Sequence, residues 1–149
     1  MKKLMFAALL AGALTAPVLA QGVAVSLQSA VFVERLGHTN DGRVERRIEP
    51  ASKLKRGDRV VLMVEWLAKP ASKGFAVTSA IPRTIAFQDT SLDGTQVSVD
   101  GGKRWGALGS LKIGARLASP EDVTHLRWQV SATDARRGMG RMTYSAIVR

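Results

Sequence analysis

Apolar and polar residues alternate most strictly over residues 123–130, Val-Thr-His-Leu-Arg-Trp-Gln-Val. Leu126, Trp128 and Val130 fall on one side; His125, Arg127 and Gln129 fall on the other. A period of two predicts a strand with one face on a core. The same pattern recurs along the chain. Residues 23–34 predict a first strand region, with a break near Gln28 and Ser29 left open. Residues 43–48 pair back on it as a charged hairpin arm across the turn formers of residues 37–42. Residues 59–67 form the strongest strand, with Val60, Leu62, Val64 and Trp66 on one face and Val61, Met63 and Leu67 on the other. Apolar residues on both faces predict a central strand that is covered on both sides, or by a second element at one end.

Shorter strands follow. They are expected over residues 75–79 and 84–87, as a hairpin over 96–105 turning at Asp100-Gly101-Gly102, and over 141–148 with Met142, Tyr144, Ala146 and Val148 inward. Residues 107–120 are undecided between a short strand and a helical turn. Residues 134–140 read as a turn-rich connector. No long amphipathic helix is predicted. Many short strands between turn signals predict an all-β chain, an antiparallel immunoglobulin-like β-sandwich of about seven to nine strands. Trp66 or Trp128 is expected to fill the middle of its core.

The amino terminus changes the picture. Met1-Lys2-Lys3 is a short positive region, residues 4–15 carry no charge, and Ala16-Pro17-Val18-Leu19-Ala20 ends in a peptidase-type site. That is the pattern of a secretory signal peptide cleaved after Ala20, leaving residues 21–149 as one domain. The expected product is exported, periplasmic or extracellular, with no transmembrane segment after signal cleavage. The 149 residues include no cysteine, so the fold uses no disulfide in a compartment that would permit one. Loss of Lys2 and Lys3 takes the net charge from +10 to +8. That surplus either points to an anionic partner, such as lipid head groups, an envelope polymer or another envelope protein, or serves solubility alone; export argues against nucleic acid.

Three basic groups stand out: Arg43, Arg46 and Arg47; Lys53, Lys55, Arg56 and Arg59; and Arg136, Arg137 and Arg141. They either converge at one end of the sandwich or face solvent separately. Candidate chemistry is sparse. His38 and His125 lack metal-ligand spacing, and Asp89, Asp93 and Asp100 lack a calcium-loop pattern. Arg56-Gly57-Asp58 is expected to be a turn entering a strand. No nucleophile elbow, phosphate loop or dinucleotide fingerprint occurs. No catalytic, cofactor-binding or metal-ligating residue is therefore nominated, and no cofactor is expected.

Ser98-Val99-Asp100-Gly101-Gly102-Lys103-Arg104-Trp105 resembles the Asp-box, with Arg104 where threonine is usual. Its expected role is structural: the carboxylate accepts backbone N–H groups across the turn and Trp105 packs beneath. More broadly, residues 28–149 resemble the conserved-repeat domain of bacterial and archaeal surface proteins, domain-of-unknown-function family eleven. The resemblance rests on Gly57-Asp58 leading into a long strand, Val77-Thr78-Ser79-Ala80-Ile81-Pro82, the hairpin of residues 97–102, residues 122–128, and Gly138-Met139-Gly140. Arg56 and Ser79 depart from its usual proline and aspartate. It implies an exported immunoglobulin-like sandwich without catalysis. Three functions are weighed: a structural or binding module of the cell envelope, an assembly helper acting by strand addition, and, suggested by the Asp-box alone, an envelope-glycan hydrolase.

Overall fold

The computed structural model describes residues 17–20 and 23–149. The body of the expected leader, residues 1–16, lies outside the described residues. The strands are β1 (Pro17–Ala20), β2 (Val23–His38), β3 (Val44–Pro50), β4 (Arg59–Ala68), β5 (Phe75–Ala80), β6 (Ile85–Thr90), β7 (Gln96–Ser98), β8 (Lys112–Ile113), β9 (Arg116–Leu117), β10 (His125–Val130) and β11 (Met139–Val148). A single α-helix, α1 (Ala132–Arg137), and one 3₁₀ turn (Pro120–Asp122) complete the described elements.

Two antiparallel sheets make a sandwich. The larger runs β1-β2-β4-β11-β6, with β3 also on β2; the smaller runs β5-β10-β7. Alternation explains what lies between them. Val60, Leu62, Val64 and Trp66 of β4 are buried, as are Met142, Tyr144 and Ala146 of β11. Leu126, Trp128 and Val130 of β10 meet them from the small sheet. Trp66 and Trp128 are both core residues, and Trp66 stands edge-on to Phe75 with ring centroids 5.3 Å apart. Burying such aromatics stabilises the fold by roughly 2–3 kcal/mol each. Gly140 makes room for this packing: a Cβ there would stand 2.7 Å from the Trp66 ring.

Several expectations are corrected. β2 runs unbroken through Gln28 and Ser29, because Glu65 and Val64 of β4 pair with them in continuous register. β4 is central, but its second face has no covering element among the described residues: Val61 and Met63 are half-buried and Leu67 is 42% exposed. Residues 134–140 are not merely a connector. The Ser131 hydroxyl accepts the Asp134 N–H, and Gly138 ends the helix at φ 72°, so a local cap forms one helical turn and a half where turn composition suggested none. The undecided stretch becomes a two-residue hairpin, β8–β9, followed by the 3₁₀ turn.

Candidate functional site

The β4-β11-β6 register decides where the basic residues go. At one end of this sheet Gly57 N–H donates to Val148 O at 2.8 Å, Val148 N–H donates to Asp58 O at 2.9 Å, and Arg149 N–H donates to Thr84 O at 2.9 Å. Those bonds bring the turn before β4, the end of β11 and the turn before β6 to the same rim. Lys53, Lys55, Arg56 and Arg59 thereby share that rim with Arg83 and Arg149. All six side chains are exposed, and none forms an ion pair among the described residues. Sequence reading found the first four. Arg83 and Arg149 are isolated in the chain, and only the register adds them.

The rim is held by one aspartate. Asp58 Oδ2 accepts the Lys55 N–H at 2.8 Å, and the Asp58 N–H returns to Lys55 O at 3.0 Å. Gly57 takes φ 89°, which a side chain would resist. Asp58 Oδ1 also accepts Arg35 Nη1 at 3.0 Å. The Lys55 backbone N–H, with the Arg35 guanidinium beside it, holds the Asp58 carboxyl below the usual carboxylate range. Arg56-Gly57-Asp58 is therefore a turn whose carboxylate is engaged inward, as its position before a strand predicts.

The other two basic groups behave differently. In the β2–β3 hairpin every arginine of the first group has an acid: Arg43 with Asp41 at 2.8 Å, Arg46 with Glu34 at 2.9 Å and Arg47 with Glu45 at 2.8 Å. The third group lies at the far end of β4, where Arg141 pairs in register with Glu65 while Ile147 pairs with Arg59. Six strand positions separate the two ends, roughly 20 Å. Arg137 is bound to Asp134 at 3.2 Å. The third group therefore does not join the second; its Arg136 and Arg141 also form no ion pair among the described residues, and the rim, with Arg83 and Arg149 added, is the larger unpaired cluster.

The loop from Ser98 to Trp105 closes through its own backbone and side chains. Val97 and Gly106 exchange both backbone bonds. Asp100 Oδ1 accepts the Lys103 and Arg104 N–H groups at 3.1 and 2.9 Å, and Ser98 Oγ accepts the Gly102 N–H at 2.9 Å. Arg104 Nε donates to Asp100 Oδ2 at 2.8 Å and holds that carboxyl well below the usual range. Asp100 is consumed by its own turn and is not poised for proton transfer.

This loop also supplies partners that sequence reading missed. On the outer face of the small sheet the Arg127 guanidinium lies 4.4 Å from the centroid of the Trp105 ring and donates twice to Gln96 Oε1, at 3.0 and 2.7 Å. Trp105 stands edge-on to His125 at 6.5 Å, and His125 Nδ1 meets Thr124 Oγ1 at 3.1 Å. The outer residues of β10 are therefore a small polar platform with an arginine fixed on an aromatic face. The pairing of β10 with β7 places Gln96 opposite Arg127; alternation alone cannot supply that neighbour.

Two shallow depressions, of about 220 and 210 Å³, flank β11 near Gly140. Their linings contain one carboxylate each, Glu65 and Asp134. Among the described residues no three His, Asp or Glu side chains cluster as metal ligands, and no helix is long and apolar enough to cross a membrane. No family model matches the chain, and no curated protein or solved structure matches it.

Proposed function

We propose that the mature chain is an exported, non-catalytic module of the cell envelope that binds an anionic envelope polymer at its basic pole. The observation that carries this reading is the collection of Lys53, Lys55, Arg56, Arg59, Arg83 and Arg149 on one rim without a carboxylate partner, while the arginines of the β2–β3 hairpin are neutralised. Unpaired cations on a rigid rim attract a polyanion by summed charge and demand no shaped pocket. The signal-peptide pattern supports export to a compartment where such polymers occur, and the immunoglobulin-like reading of the sandwich agrees with modules that present a binding end.

The test is retention of residues 21–149 on isolated envelopes and on a dextran sulfate resin, with salt raised stepwise. Retention on both, lost with increasing salt and weakened by Lys55→Gln, Arg56→Gln and Arg59→Gln together, is expected. Equal elution of the variant and the parent protein would overturn the assignment to this rim.

A further inference from the structure

We infer that removal of the leader uncovers an edge of β2 that pairs with the same edge of a second copy of this chain. The edge is defined by the register. Phe32 and Val33 pair with β4 on one side and with β3 on the other, and Val25 and Ser26 pair with β4 and with β1 in the same way. β1 and β3 therefore occupy one edge of β2, at its two ends. Ala51 N–H donates to Val31 O at 3.0 Å on that edge. Alternation then aims the N–H and C=O of Leu27 and Ser29 the same way, and neither has a backbone partner there among the described residues. Cleavage after Ala20 removes β1 and frees Val23 and Val25 as well.

Composition separates the two halves of this edge. β3 carries Glu45, Arg46, Arg47, Glu49 and Pro50, which are the usual protections against pairing with another chain. From Gly22 to Val33 there is no charge and no proline. The chain itself demonstrates what this half accepts, because Pro17–Ala20 lies on it as an antiparallel strand.

A second copy fits this vacancy in one register. An antiparallel edge pairs with itself about a two-fold axis. Residues whose groups point outward must face one another, and the partner strand must stop before Val31, which Ala51 already occupies. Centring the axis on Ser26 meets both conditions: Val25 faces Leu27 of the second copy, and Val23 faces Ser29. A centre on Leu27 would drive Val23 onto Val31. The side chains brought together on the outer face, Ala24, Ser26 and Gln28, are exposed and uncharged, so nothing repels. Only Gln21 and Gly22 precede Val23 after cleavage, which lets the chain end clear β3 of the second copy. Every buried apolar residue among those described lies between Val25 and Ala146.

The experiment uses the exported protein, whose mass should place its first residue at Gln21, and a chain retaining Pro17–Ala20. Light scattering at micromolar concentration should find the first dimeric and the second roughly tenfold weaker in association, because its own β1 fills the edge. The chain has no cysteine, so a single Ser26→Cys reports directly: a non-hydrogen-bonded pair on the axis brings its two sulfurs within disulfide reach. Ser26→Cys should cross-link nearly completely under mild oxidation, and Ser72→Cys, on an exposed loop, should not. Ser26→Lys should give a folded monomer with an unchanged circular dichroism spectrum. A monomeric mature chain, a monomer that pairs only with a strand from another protein, or equal cross-linking of both cysteines would overturn the inference. Polymer retention by the Ser26→Lys monomer reads the basic pole separately.

Discussion

Two basic regions of this protein have similar sequences and opposite electrostatics. The β2–β3 hairpin places Arg43, Arg46 and Arg47 within five residues; the approach to β4 places Lys53, Lys55, Arg56 and Arg59 within seven. In the hairpin, each arginine finds an acid on its own arm, at the turn or across the pair. Near β4 the local acid, Asp58, is turned inward to hold Lys55 and Arg35, and the cations are left facing solvent. Density of positive charge in a sequence therefore does not measure positive field. Which carboxylates are already engaged does.

The contrast can be broken from either side. Reversing the pole with Lys55→Glu, Arg56→Glu and Arg59→Glu should have the largest effect: on the order of a 100-fold loss of affinity for dextran sulfate near ~0.1 M salt, with a flatter salt dependence. Freeing the hairpin arginines with Glu34→Gln, Asp41→Asn and Glu45→Gln should do the opposite. Retention should rise by roughly three- to tenfold, read as elution at higher salt.

Acid should weaken both regions without mutation. The Thr39 hydroxyl, with help from the backbone, holds Asp41 below its ordinary value of 3.8, and the Lys55 N–H with Arg35 does the same for Asp58. A carboxylate with a lowered folded-state pKa contributes stability that is present above the unfolded value and lost as pH falls through the folded one. Thermal denaturation should thus show a flat Tm from about pH 7 to 5 and a fall below about pH 4, and Asp58→Asn should begin lower and fall less. The smallest effect is expected from Arg43→Gln, Arg46→Gln and Arg47→Gln together. Less than about a twofold change in retention should follow, because exposed pairs of this kind contribute little. A large loss would mean that the hairpin, not the rim, meets the polymer.

Much of the fold was legible in the chain. Alternation marked β4, β10 and β11, and the buried faces of all three are the predicted ones. Asn40-Asp41-Gly42 marks a real hairpin tip, where Gly42 N–H donates to Thr39 O. Local chemistry was harder to read where two signals overlap. Residues 131–138 hold turn formers that serve instead as a helix cap and stop. Of the sites, the Asp-box turn was readable because the bonds made by its Ser98 and Asp100 side chains lie within seven residues. The platform of Trp105, His125 and Arg127 was not, since the register of β7 on β10 creates it.

The sequence by itself determined the period-two pattern, the buried faces, the turn at Asp100 and the excess of cations. These are local properties, written within a strand or a turn. Residues 123–130 illustrate the limit: alternation settles that Leu126, Trp128 and Val130 face a core, and says nothing of what His125 and Arg127 meet. Only the tertiary structure decided that Arg127 lies on Trp105, that Arg83 and Arg149 join the basic rim, and that β4 leaves one face without a covering element among the described residues. Strand register and sheet order set those outcomes, and both depend on pairings between residues far apart in the chain.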